Sequence, residues 1–160
     1  MGSRTTRFVI HAFAALTLVV PSRAIAAQAK RPPAPWAPHR TIAVGATLQD
    51  TLAEHDVLLA ADSTYAQEWR LAGTAGATVT IDVVSEAFDA YEFLFGPGLE
   101  GEVPQDDDSG GRCNARLTVR LPQGGDYYVV VTSRNRRATG PFTLSVTAGP
   151  KPKSLARCDR

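Results

Sequence analysis

The chain is poor in the residues that carry acid–base and metal chemistry. Its 160 residues hold three histidines, two cysteines and one methionine. His11 sits in an N-terminal apolar run, which leaves His39 in a proline-rich stretch and His55 in an early loop. That is too little for a histidine-rich zinc site, and it leaves no obvious base for a nucleophile. No G-x-S-x-G, H-E-x-x-H or Gly-rich phosphate loop occurs. An excess of one charge is missing too. With 17 basic and 16 acidic side chains, the chain has no electrostatic footprint for nucleic acid or for an anionic membrane surface. Beyond the first 30 residues no amphipathic helical stretch of useful length is found.

What is present begins with an address. Arg4 and Arg7 precede an almost unbroken apolar run from Phe8 to Val20, and Pro21 and Ser22 break it before the small residues Ala24-Ile25-Ala26. This is the layout of a secretory signal peptide, residues 1–26, with cleavage near Ala26. The apolar run is shorter than the roughly 20 residues a membrane-spanning helix needs. The expectation is therefore export, to the periplasm or the medium, with no stable membrane insertion after cleavage. Cleavage removes Arg4, Arg7 and Arg23 and no acid, so the mature chain carries a formal charge of −2. Residues 27–40, rich in proline, read as an extended linker, because proline fixes φ and lacks the amide donor. Trp36 is unexpected in a bare linker. It either packs on the domain or meets a partner.

Residues 41–148 read as one strand after another, followed by a tail, 149–160. Thr47–Leu52 is a weak first strand. Gln67–Leu71 places Trp69 and Leu71 on one face and Glu68 and Arg70 on the other. Thr78–Ser85 is the clearest strand, with Val79, Ile81 and Val83 pointing one way and Thr78, Thr80 and Asp82 the other. Ala90–Phe95 alternates Tyr91, Phe93 and Phe95 against Ala90, Glu92 and Leu94. The turn GPGLEG leads to a short return strand near Glu102–Gln105. Ala115–Leu121, Asp126–Ser133 and Phe142–Thr147 follow. Tyr127 to Val131 are apolar on both faces, as expected of a central strand. About eight short strands with Gly- and Pro-bearing turns predict an all-β fold, an antiparallel β-sandwich or jelly-roll.

An exported chain with two cysteines favours a Cys113–Cys158 disulfide, which would tie the tail back to the sheet. Closing a loop of about 45 residues contributes roughly 2–4 kcal/mol. The alternative is two free thiols, with Cys158 in a frayed tail.

Four segments together carry a family likeness: DSTYAQEWRL, AGATVTIDV, FDAYEFLFGP, and the pair LPQGGDYYVVVTS and TGPFTLSV. Over residues 42–147 the chain resembles the bacterial pre-peptidase C-terminal domain. The resemblance implies a non-catalytic β-sandwich accessory module, similar to the collagen-binding domains of clostridial collagenases, some of which bind calcium. Two features depart from the pattern. No peptidase precedes the domain in this sequence, and Cys113 and Cys158 are not part of it.

Asp106, Asp107 and Asp108 form the sharpest polar feature. Adjacent carboxylates repel one another unless solvated or given a cation, and calcium takes six to eight oxygen ligands. If Phe95 pairs near Glu102, Asp89 falls close to Asp107 and Asp108, with Asn114 as a neutral ligand. These five residues are a candidate Ca²⁺ site; the competing reading is a solvated loop with Asx-turn chemistry. Arg134, Asn135, Arg136 and Arg137 form a basic loop that faces either water or an acidic partner. Of Tyr127 and Tyr128, one should enter the core and the other face out. The resulting expectation is a non-catalytic module for an extracellular protein or polysaccharide. The alternatives are a stand-alone partner or chaperone-like subunit of a separately encoded secreted peptidase, and a small hydrolase pairing Asp89 with Glu92 or the triplet.

Overall fold

A computed structural model describes residues 40–101 and 103–159. The signal peptide, Trp36 and His39 lie outside these residues, as does Glu102. The described residues form ten strands: β1 (Arg40–Ile42), β2 (Thr47–Leu52), β3 (Val57–Leu59), β4 (Thr64–Gly73), β5 (Thr78–Val84), β6 (Ala90–Phe95), β7 (Gln105–Asp106), β8 (Ala115–Arg120), β9 (Gly125–Ser133) and β10 (Gly140–Ala148). One sheet has the order β1-β4-β9-β6-β7, with β3 also pairing β4. The other has the order β2-β10-β5-β8. The fold is an all-β sandwich.

Period-two alternation decides what lies between the sheets. Val79, Ile81 and Val83 of β5 face inward with Leu117 of β8 and Phe142, Leu144 and Val146 of β10. They meet Trp69 and Leu71 of β4, Leu94 of β6, and Tyr127, Val129 and Val131 of β9. Strand β9 is central, hydrogen-bonded to β4 on one side and β6 on the other. Its outer residues Val130 and Thr132 are buried as well. That is why its sequence is apolar on both faces.

Tyr127 fixes one end of the sandwich. Its ring lies so close to Gly73 and Gly96 that a Cβ on either would come within 2.5 Å of it. Its hydroxyl reaches the carbonyls of Gln123 at 2.8 Å and Pro97 at 3.0 Å.

Three features differ from the sequence expectation. Two strands were not foreseen, β1 and β3. Both are three residues long, too short to show a period, and both lie along β4. β1 pairs in parallel, so the sandwich is not wholly antiparallel. The return strand β7 begins at Gln105, later than expected, with Phe93 opposite Gln105 and Glu92 opposite Asp106. Finally, Thr80 and Asp82 point away from the core, as expected, yet both are buried. The C-terminal tail covers them. Gly149 donates to the Thr78 carbonyl at 2.8 Å, and Lys151 Nζ meets Asp82 Oδ2 at 2.7 Å. Arg116 Nη1 donates to the Pro152 carbonyl at 2.7 Å.

The tail ends on the expected disulfide, Cys113–Cys158. Residues 111–113 all have positive φ, a costly run for Arg112 and Cys113. The tail holds that turn in place. Ser154 donates to the Ser109 carbonyl at 2.8 Å, and Arg112 donates to the Ala156 carbonyl at 3.3 Å. Among the described residues, no helix is long and apolar enough to cross a membrane.

Candidate functional site

The β6–β7 register decides what happens at the acidic corner. Extended past Glu92 and Asp106, it places Asp108 opposite Ala90, next to Asp89. One carboxylate oxygen from each aspartate, together with the sulfurs of Cys113 and Cys158, lies within 4.8 Å of the others. The remaining candidates turn elsewhere. Asp106 Oδ1 accepts from the backbone amides of Ser109 at 2.8 Å and Arg116 at 2.9 Å. Asp107 pairs with Arg134 at 3.3 Å. Asn114 accepts from the Ser85 amide at 2.9 Å and donates to the Gly111 carbonyl at 2.8 Å. Two carboxylates therefore converge where five oxygen donors were expected. The sulfurs beside them are bonded to each other and are not thiolates, the form of cysteine that binds metal. Of the triplet, Asp106 shapes its own loop and Asp107 is paired with Arg134.

Glu92, one residue of the hydrolase pairing, lies between the sheets and is wholly buried. Neither carboxyl oxygen reaches a hydrogen-bond partner at full geometry. Burial pushes its carboxyl well above the usual carboxylate range. Asp106 and then Asp82 push the same way, and only the Leu117 backbone eases it. A general acid must reach the substrate proton it handles. Glu92 has no route to one.

The outer face of the larger sheet is where chemistry is on offer. With Ala90, Glu92 and Leu94 buried, alternation turns Tyr91, Phe93 and Phe95 outward as a partly buried row. Tyr91 and Phe93 have ring centroids 4.4 Å apart, and Phe95 follows 6.3 Å from Phe93. Tyr128, the outward member of the tyrosine pair, lies opposite Phe95. Arg134 joins this face to the acidic corner: its guanidinium carbon lies 4.9 Å from the Tyr91 ring centroid while its Nε meets Asp107. Burial raises the Tyr91 hydroxyl above its ordinary value. Arg134 opposes that shift, while Asp107 and Asp62 add to it.

At the Tyr91 end of the row a groove of about 460 Å³ opens between β6, β9 and the loops at 61–63 and 134–137. Its lining includes Asp62, Thr64, Phe93, Thr132 and Arg136. The two loops are held together by the Arg137 amide, which donates to the Ser63 carbonyl at 2.8 Å; both residues have positive φ. The basic loop is thus split among three tasks: Arg134 pairs and stacks, Arg137 braces the backbone, and Arg136 faces the groove. A smaller cavity of about 240 Å³ near His55 is bordered by Arg40, Asp56 and Gln67. There Gln67 Nε2 meets Asp56 at 2.9 Å, and Arg40 meets Asp56 at 3.5 Å.

The sequence contained the aromatic row but not its direction. Both sets of the β6 alternation can fill a core, and the rings look like the better filling. The signal available was Glu92's neighbours. Ala90 is the only residue of the strand small enough to mark a tightly packed side.

No protein-family model and no curated protein matches the sequence. Solved structures do. The pre-peptidase C-terminal domain of a Bacillus anthracis collagenase is 16% identical with a TM-score of 0.48, covering 68% of this chain and 93% of that domain. The Aeromonas hydrophila PliG, a periplasmic inhibitor of g-type lysozyme, is 20% identical with a TM-score of 0.49, over 69% of this chain and 96% of that one. The corresponding Salmonella Typhimurium PliG is 16% identical with a TM-score of 0.46, over 69% and 98%. The family that the sequence resembles is thus among the structures this chain is similar to.

Proposed function

We propose that this protein is a non-catalytic β-sandwich binding module that works outside the cytoplasm, and that it binds through the outer face of its larger sheet. The observation that carries this reading is the direction of β6. The strand gives its buried side to Ala90, Glu92 and Leu94 and presents three aromatic rings outward. Partly buried aromatics in a row give a ligand a pre-ordered apolar surface at little conformational cost. The disulfide supports an oxidising location.

The test is retention. The mature chain and a Tyr91→Ala/Phe93→Ala variant are passed over insoluble extracellular polymers and over culture supernatant. The expected outcome is retention of the parent chain on one of them and its loss in the variant, with both proteins equally folded by circular dichroism. Equal retention of the two would remove the outer face from the reading. Recovery of a single stoichiometric secreted peptidase would make the module a subunit of that enzyme.

A further inference from the structure

Resting on that reading, we propose that the outer-face groove takes an acidic glycan, with a sugar ring stacked on Tyr91 and Phe93 and a sugar carboxylate held by Arg136. The chemistry around the groove is of three kinds, each in its own place. Along one wall run the rings of Tyr91 and Phe93, 4.4 Å apart. On the floor are the hydroxyls of Thr64 and Thr132, both residues buried. Thr132 Oγ1 donates to the Tyr65 carbonyl at 2.7 Å and sits 3.1 Å from Thr64 Oγ1, so the floor is fixed by the sheet. At the rim are three charged residues, Asp62, Arg134 and Arg136.

The charges are not equivalent. Arg134 is committed to Asp107 and to the Tyr91 ring. Arg136 lines the groove and forms no ion pair among the described residues, and the same holds for Asp62. An available guanidinium matches a carboxylate, which it can hold with two parallel hydrogen bonds. An available carboxylate accepts hydroxyl protons. A pyranose of an acidic polysaccharide offers three counterparts at once: a C–H face for the rings, hydroxyls for Asp62, and a carboxylate for Arg136. The aromatic row continues to Phe95, 6.3 Å beyond Phe93, so the face extends past one sugar along a chain.

A peptide fits less well. Strand addition needs an open sheet edge. Here the groove floor is made by β4, β9 and β6, and the backbones of the last two are paired on both sides. An amphipathic helix needs a continuous apolar groove. Hydroxyl and charged side chains interrupt this one.

Calorimetry on the mature chain decides, with three probes: oligogalacturonate, a cello-oligosaccharide of equal length, and poly-glutamate. Oligogalacturonate should bind about tenfold more tightly than the neutral oligosaccharide, the worth of one charge-assisted contact. Arg136→Gln should erase that preference. Tyr91→Ala/Phe93→Ala should abolish binding of both sugars. Equal affinity for the neutral sugar overturns the carboxylate assignment. Equal affinity for poly-glutamate reduces the effect to bare charge attraction and overturns the glycan. Silence with all three overturns it as well. In that case, retention that still depends on Tyr91 leaves the outer-face reading standing alone; retention that does not depend on Tyr91 removes both.

Discussion

The acidic corner and the aromatic face are joined through Arg134, yet they use their side chains in opposite ways. At the corner, residues that look chemically active are engaged with the protein itself: Asp106 with two amides, Asn114 with a third, Asp107 with Arg134. On the face, residues that look like core filling are turned outward. Reactive composition is thus a poor guide to where a sandwich meets its surroundings. What matters is whether a polar group still has unspent capacity, and whether an apolar one has been left uncovered. The contrast predicts that corner and core variants cost stability, whereas face variants cost binding.

The largest effect should come from removing the disulfide. Cys113→Ser/Cys158→Ser frees the tail that covers Thr80 and Asp82 and releases the positive-φ turn at 111–113. A loss of about 2–4 kcal/mol is expected in urea unfolding of the mature chain. The outer face should still bind its ligand while the protein remains folded. A variant of unchanged stability would show that the tail holds itself in place without the bond.

Next comes Glu92. Because its native carboxyl is raised, the folded chain keeps a proton that the unfolded chain gives up above about pH 4.3. Its contribution is therefore most favourable below that pH and is lost as pH rises toward the raised native value. Glu92→Met should gain about 1–3 kcal/mol at pH 8. The gain should shrink on acidification, read as the difference between the two unfolding curves across pH. A constant difference would mean that Glu92 titrates alike in the folded and unfolded chain.

How much of this was legible in the sequence follows from what each signal can encode. Strand β5 and the central position of β9 were readable because several alternating apolar residues fix a period. β1 and β3 were not, since three residues cannot. The nearness of Asp89 to Asp108 was approached through a hairpin register one residue off: pairing Phe95 with Glu102 sets the two opposite each other, whereas the observed pairing sets Asp108 opposite Ala90. The disulfide came from compartment and count. The burial of Asp82 could not be read, because it depends on where an irregular tail comes to lie. Nor could the direction of Tyr91, Phe93 and Phe95, because alternation is symmetric when both sets are apolar enough to be buried. Glu92 breaks that symmetry the wrong way: a lone carboxylate points toward the core, against every compositional rule.

A smaller effect is expected at the junction itself. Arg134→Ala removes an exposed ion pair with Asp107 and the contact over Tyr91. Each is worth less than about 1 kcal/mol at such exposure. Stability should hardly move, while the Tyr91 ring loses a group that fixes its orientation. Affinity for the outer-face ligand should fall several-fold, and the cost in stability should vanish at high salt. Equal losses of stability and binding would place Arg134 with the corner and not with the face.

The smallest expected effect is that of calcium, and it bears most directly on the contrast. A ligand that binds only the native state stabilises by RT ln(1 + [L]/Kd), so a site half-filled at millimolar Ca²⁺ adds about 0.4 kcal/mol and a tight one several. Calcium requires six to eight oxygens. The corner brings together carboxylates of Asp89 and Asp108, while Asp106, Asp107 and Asn114 are turned to other partners. Millimolar Ca²⁺ should then shift the melting temperature by no more than about 1 °C, and Asp89→Asn should leave even that unchanged. A larger shift, abolished by Asp89→Asn, would require Asp107 to leave Arg134 and swing inward. Arg134 would then be released from the Tyr91 ring, and calcium at the corner would alter binding on the face, so that the two regions would be one site.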